Sequence, residues 1–252
     1  MQRSMLSRVL VGVVGLASLV AAPVASAEDK VESQGERAYR YELRALGTYA
    51  GEAIFAIGAE ETIGNRKLRP VRIDAFTAGL AANFLAGKTM STAWVNQAWL
   101  PVRVRWDQVI DGVARIVKAS FTGRNVKGTE EKNGKVAEKV DLKTATHGLD
   151  LVSIFPWLMN ADLSPGAKYD IPVFDGKRIY QVSVTAGTAK EIQVPVGFRK
   201  AIPLKIHVSR GSYKRDMELW MSAEKDRTPL RLVFKYGLIG TVEASLVGEK
   251  KS

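Results

Sequence analysis

The sequence predicts a mainly β protein, an antiparallel sheet with one face covered and one or two short helices packed against it. Three observations predict this. Apolar and polar residues alternate with period two through most of the chain beyond residue 27. Turn-forming clusters separate the alternating runs, and only two stretches break the pattern. Successive strand residues face opposite sides, so each run buries one face and wets the other, as in antiparallel sheets with one solvated side.

The chain opens on a different signal. Met1 to Arg8 carries Arg3 and Arg8 and no acid, Val9 to Ala22 is apolar or small throughout, and Ala25-Ser26-Ala27 precedes Glu28. A basic start, an apolar centre and a small-x-small end make a secretory signal peptide over 1–27, with the mature protein periplasmic or secreted. The apolar centre has 14 residues, against about 20 for a membrane-spanning helix. No later segment is long and apolar enough to span, so the mature form is expected to be soluble.

Strands are predicted over Tyr39–Leu46, Gly51–Glu60, Leu68–Thr77, Val113–Phe121, Val136–Leu142 and Ile179–Ala186. The alternation is plainest in four further runs. Val102, Val104 and Trp106 oppose Arg103 and Arg105; Ile202, Leu204, Ile206 and Val208 oppose Lys205 and His207. Met217, Leu219 and Met221 alternate with Glu218 and Ser222, and Leu230, Leu232, Phe234 and Tyr236 with Arg231 and Lys235. Asn133-Gly134 and Asp175-Gly176 read as hairpin tips, because these pairs tolerate positive φ. Arg210-Gly211-Ser212 and Asp226-Arg227-Thr228-Pro229 are further turns. The two exceptions are helical expectations. Ala78 to Ala86 is rich in Ala and Leu, and His147 to Asn160 spaces Leu149, Val152, Phe155 and Leu158 as a helix does, with Pro156 kinking or ending it. With no long linker or repeat, 28–252 reads as one β-rich domain, frayed only at Glu28–Gly35 and Gly248–Ser252.

Cysteine is absent, which removes disulfides, thiolate metal sites, cysteine nucleophiles and a lipid-anchoring cysteine. The net charge of +11 becomes +9 without the two leader arginines. A basic envelope protein is drawn to phospholipid head groups or acidic glycans; a plain solvated surface is the competing reading. No nucleotide fingerprint is present, and no nucleic-acid partner or cofactor is expected.

The order of short motifs carries a resemblance. Tyr41-Glu42-Leu43-Arg44-Ala45-Leu46-Gly47 and Ala50-Gly51-Glu52-Ala53 come first, then Trp99-Leu100-Pro101 and His147-Gly148-Leu149-Asp150-Leu151-Val152-Ser153. Leu163-Ser164-Pro165-Gly166 precedes Tyr169-Asp170-Ile171-Pro172-Val173; Leu219-Trp220-Met221-Ser222, Thr228-Pro229-Leu230-Arg231 and Ile239-Gly240 follow. Over Tyr39 to Leu246 the chain resembles the secreted bacterial family called domain of unknown function 3108. After Ser222, where that family carries an acidic pair, this chain has Ala223-Glu224-Lys225-Asp226. The resemblance implies an envelope-associated β protein and no catalytic residues. The fold expected is a curved antiparallel sheet or incomplete β-barrel, with one or two short helices on its concave side. By analogy it is similar to periplasmic lipoprotein carriers, which shelter acyl chains in a half-open barrel.

Few residues suggest chemistry. His147 and His207 are 60 residues apart and make no zinc pattern; His147 reads as a helix-terminal cap. Ser153, Asp150 and His147 lie close enough in sequence for a triad but lack a nucleophile elbow. Asp162 and Asp170 flank Leu163-Ser164-Pro165-Gly166 and suit a glycosidase pair, though Asp beside Pro and Gly is ordinary turn chemistry. Arg103, Arg105, Arg115 and Lys118 lie on neighbouring strands as a cationic patch for phosphate or carboxylate, or as charges that keep the sheet from aggregating. Trp106 and Trp157 fit the core, whereas Trp220 alternates out of register and is expected to face solvent or a partner.

These features favour a non-enzymatic binding or carrier protein for an amphipathic or anionic envelope component, a lipid or lipid-linked glycan. Candidate ligand-binding residues are Leu149, Val152, Phe155, Trp157, Trp220, Arg103 and Arg105. The second reading is an assembly factor docking on an envelope protein, and the third a glycan-active hydrolase using Asp162 or Asp170.

Overall fold

The computed structural model describes residues 37–79, 87–236 and 240–251. The predicted signal peptide, and the helix expected over 78–86 from residue 80 onward, lie outside the described residues. Seventeen strands and one helix occupy the described chain. The first half holds β1 (Arg37–Ala45), β2 (Thr48–Ile57), β3 (Glu61–Ile63), β4 (Arg66–Thr77), β5 (Gly87–Val95), β6 (Pro101–Ile110), β7 (Val113–Thr122), β8 (Asn125–Lys132) and β9 (Lys135–Lys143). The second half holds β10 (Leu149–Asp150), α1 (Ile154–Asn160), β11 (Lys168–Phe174), β12 (Ile179–Ala186), β13 (Lys190–Val194), β14 (Gly197–Arg210), β15 (Tyr213–Ser222), β16 (Pro229–Tyr236) and β17 (Gly240–Lys251).

Pairing runs β9–β8–β7–β6–β5–β4–β2–β1–β17–β16–β15–β14–β12–β11–β10, antiparallel throughout except between β10 and β11. The short β3 pairs with the start of β4, and β13 with the start of β14. First and last strands meet mid-sheet, with Arg37 opposite Lys251 and Ala45 opposite Val242. The predicted frayed end is therefore corrected: 248–251 is paired strand, held by backbone bonds to β1.

The fold is mainly β, a large open antiparallel sheet with one short helix. Among the described residues no backbone pairing joins the end strands β9 and β10. The seam between the two ends is bridged by side chains instead. The turn from β11 to β12 seats Gly176 (φ +93°) so close to Trp106 and Arg115 that an added Cβ would lie 2.7 Å and 2.9 Å from them. Beside it, Lys177 pairs with Glu138 of β9.

One face of the sheet carries the core. Tyr39, Leu43, Trp106, Phe174, Leu204 and Leu219 are each at most 2% exposed, and burying such a side chain contributes roughly 1.5–3 kcal/mol. Strand β6 shows the alternation directly: Val104, Trp106 and Gln108 are buried, while Arg103, Arg105 and Val109 are exposed. The Asn133-Gly134 tip has φ of 47° and 77°, as expected of a two-residue hairpin with positive φ at both positions. The Asp175-Gly176 tip is longer, because Asp175 Oδ1 accepts the Lys177 and Arg178 N–H groups and folds a four-residue loop.

Candidate functional site

Local sequence places α1 against the covered face. The helix begins at Ile154, later than the spacing from His147 suggested, because Leu149 and Asp150 pair with Val173 and Phe174. Asp150, fully buried, accepts the Val152 N–H at 2.8 Å and the Ser153 N–H at 3.4 Å. Ser153 Oγ accepts the Asp150 N–H at 3.0 Å. These reciprocal bonds close the turn ahead of the helix, while Ser153, the N-cap residue, makes no side-chain cap bond to α1. Pro156 falls in the first turn, where a missing N–H costs nothing, so it neither kinks nor ends the helix. Burial pushes the Asp150 carboxyl up to about 6, partly offset by these hydrogen bonds.

Below α1, Phe155 tilts against Phe55 at 5.8 Å between ring centroids, and Phe55 stacks on Tyr39 at 5.6 Å. Beside this stack lies a recess of about 60 Å³ lined by Tyr41, Leu43, Phe55, Ile73, Phe155 and Leu232, among others. Almost every lining atom is apolar. Tyr41 Oη donates to the Pro229 carbonyl at 2.8 Å, so the phenol brings no free polar group.

At the other end of α1 lies a cleft of about 640 Å³, where Met159 and Asn160 face Ile57, Arg37, Arg69, Trp99 and Lys225. Its size falls within the roughly 300–1,000 Å³ usual for small-molecule sites. Trp99 belongs to the tight loop between β5 and β6, where Asn96 Oδ1 accepts the Ala98 and Leu100 N–H groups at 2.9 and 3.0 Å. That loop holds Trp99 at φ 61°, a left-handed conformation costing a bulky residue about 1–3 kcal/mol. Arg69 lies 5.1 Å from its ring centroid.

The residues singled out from sequence fall in separate places. Leu149 and Val152 are 1% exposed and fill the core. Phe155 lines the apolar recess. Trp157 packs edge-on against Tyr169 at 5.2 Å. Trp220 does not face solvent: it is 6% exposed, lies under Lys190 Nζ at 4.7 Å, and donates to Glu218 Oε1 at 2.6 Å. Arg103 and Arg105 lie on the solvent face, over the Trp94 ring and in a two-bonded pair with Asp107. Arg115 leaves the expected patch altogether, pointing inward to Glu130 at 2.8 Å.

The catalytic alternatives do not assemble. His147 is exposed, whereas Asp150 and Ser153 are buried and spent on each other, so neither a triad nor a histidine cap forms. Asp162 accepts from the Ser164 N–H and Oγ, which hold its carboxyl below the usual range, the wrong direction for a general acid. Asp170 accepts from Ser183 Oγ at 2.5 Å. Among the described residues no group of three or more His, Cys, Asp or Glu could hold a metal ion, and no helix is long and apolar enough to cross a membrane. Sequence reasoning missed the Trp99 cleft. Its residues come from loops and strand ends far apart in the chain, and a tryptophan at positive φ has no local signature.

Comparison with known proteins agrees on the architecture. The crystal structure of a β-barrel-like protein of domain of unknown function DUF1849 from Brucella abortus is similar at TM-score 0.61 and 12% identity, over 88% of this chain and 99% of that one. Looser similarities link an exported protein with a YmcC-like fold from Bacteroides fragilis (TM-score 0.34, 10% identity, 87% and 97% covered) and a protein described as a lipoprotein from Parabacteroides distasonis (0.35, 9%, 86% and 96%). No curated protein matches the chain significantly. The model of a protein family described as of unknown function, DUF3108, matches residues 39–247.

Proposed function

The chain belongs to the DUF3108 family of proteins of unknown function, and from that premise we propose that it is an exported, non-enzymatic binding or carrier protein for an amphipathic envelope component such as a lipid or lipid-linked glycan. One observation carries the reading. An apolar recess and a cation-lined cleft lie along the same strand, Phe55 lining the first and Ile57 the second. Residues two apart on a strand share a face, so an amphiphile with its tail at Phe55 would have its head at Ile57. The recess of about 60 Å³ is smaller than an ordinary ligand pocket. Tail entry therefore requires α1 to shift away from β1 and β2.

Mass spectrometry of an organic extract from protein purified without detergent tests this. A stoichiometric amphiphile is expected. A clean extract, together with no uptake of an apolar dye, overturns the reading. Export is tested on the same material, whose intact mass should place the N-terminus at Glu28.

A second reading, docking on another envelope protein, draws on a different observation. Ile54, Phe76, Met90 and Val109, each 39–44% exposed, are diagonal neighbours across β2, β4, β5 and β6 on the solvent face. Docking by strand addition at β9 is disfavoured by Lys135, Lys139 and Lys143 along that edge. Crosslinking in membranes, with and without Phe76→Ser, separates this reading from the first.

A further inference from the structure

Five arginines on the sheet are neutralised in place. Arg44, Arg72, Arg105, Arg115 and Arg231 each pair with a carboxylate. The cleft at Trp99 differs. Among the described residues, Arg37, Arg69 and Lys225 form no ion pair, yet all three line one concavity of about 640 Å³. The acid beside them, Asp226, is engaged by Thr228, whose Oγ1 donates to Oδ2 at 3.0 Å. Three cations against the one carboxylate of Asp226 leave the cleft lining with a net positive charge, an arrangement relieved by an anion.

The geometry adds selectivity. Arg69 is steadied over the Trp99 ring, and a cation–π contact consumes none of the guanidinium N–H donors. Those donors match the paired oxygens of a phosphate. The backbone strain at Trp99 is maintained by the Asn96 bonds, which keep the indole in the cleft wall. Ile57 and Met159 line the cleft, two and four residues beyond Phe55 and Phe155, which line the apolar recess.

Resting on the carrier reading above, we infer that the Trp99 cleft is a head-group site for a phosphate-bearing lipid, with Arg37, Arg69 and Lys225 as its anion ligands. The tail then runs along β2 toward Phe55. A neutral amphiphile engages only the tail region, and inorganic phosphate only the head.

The test compares two probes below their micellar concentrations, dihexanoylphosphatidylglycerol and dihexanoylphosphatidylcholine, by calorimetry on the full mature chain. The neutral dye N-phenyl-1-naphthylamine reports the apolar recess independently. The anionic lipid is expected to bind about tenfold more tightly than the zwitterionic one. Arg69→Gln and Lys225→Gln should abolish that preference without changing dye binding, and Arg69→Lys should retain part of it. Far-UV circular dichroism checks that each variant is folded. Equal affinities for the two lipids, or a preference that survives Arg69→Gln, overturn the head-group site while bound dye leaves the carrier reading standing. If neither dye nor lipid binds, both fail. Inorganic phosphate binding as tightly as the anionic lipid would identify free phosphate as the ligand and overturn the lipid assignment.

Discussion

Arg115 of β7 and Glu130 of β8 form a 2.8 Å ion pair on the inner face of the sheet, their side chains 11% and 4% exposed. Arg115 also donates to Gln108 Oε1 at 2.8 Å, and Gln108 passes the chain on to Thr89 Oγ1 at 3.2 Å. This polar network lies where the loop from β11 to β12 closes the seam. Burial would raise the Glu130 pKa, but the charges of Arg115, Lys132 and Lys177 outweigh it and hold the carboxyl below its usual range. An open sheet thus joins its two ends by charge and packing where a closed barrel would use backbone hydrogen bonds.

Removing one partner of that pair should be far worse than removing both. Arg115→Met leaves Glu130 with only the longer pair to Lys132 at 3.5 Å, and removing one partner of a buried pair costs up to about 3–5 kcal/mol. The double variant Arg115→Met/Glu130→Leu should recover most of the loss, as measured by urea denaturation. Because the folded-state pKa of Glu130 is lowered, its contribution is present above the unfolded carboxylate pKa and is lost as pH falls through the folded value. Similar stabilities for single and double variants would show that the pair does not hold the seam.

Asp150 should titrate in the opposite sense. Its folded pKa is raised from 3.8 to about 6 by burial, so the stability it contributes is fully present below pH 3.8 and is lost as pH rises through 6. That interval corresponds to about 3 kcal/mol. Asp150→Asn keeps an acceptor oxygen at the helix entrance but cannot ionise. The stability difference between wild type and variant should therefore move by about that amount between pH 4 and pH 7, with wild type relatively favoured at pH 4. A difference that does not change with pH would rule out the buried carboxylate as its source.

Tyr41→Phe probes the recess itself. The hydroxyl spans 188 residues of sequence to reach the Pro229 carbonyl. Its loss leaves a buried acceptor unpaired, at about 1–3 kcal/mol. Thermal denaturation should show the loss, while uptake of a neutral apolar dye is retained because the ring still lines the recess.

Strands whose inner face carries large apolar residues were legible in the sequence, and Ile179–Ala186 was read with its observed bounds. The missed strands have another interior. In β5 the buried positions are Gly87, Thr89, Ser91, Ala93 and Val95, and in β8 Glu130 is buried opposite the seam loop. Such strands alternate small or charged residues inside with mixed ones outside, so hydrophobic period two is weak. Gly128 in β8 is required by close approach, since an added Cβ would lie 2.0 Å from the Lys118 carbonyl oxygen. Pro172 hid β11, a strand in which it is tolerated beside the short edge strand β10. The recess was foreshadowed by Phe155 alone. Trp220 was misread because alternation assigns faces but does not reveal that β13 brings Lys190 over the outer one.

Two glycines separate backbone conformation from packing at the seam. Gly134 and Gly176 both have positive φ, 77° and 93°. An added Cβ at Gly134 meets nothing within 4 Å, whereas at Gly176 it would lie 2.7 Å from the Trp106 ring. Gly134→Ala should then cost only the left-handed backbone penalty, about 1–2 kcal/mol. Gly176→Ala should cost more by at least 1 kcal/mol, since it must also displace the indole or the Arg115 guanidinium. Hydrogen exchange gives the location of the damage. In Gly176→Ala the amides of β11, β12 and β9 should exchange faster while those of β1 and β17 keep their protection. Equal costs for the two substitutions, or loosening spread evenly through the sheet, would mean that the side-chain seam is not what holds the open edges together.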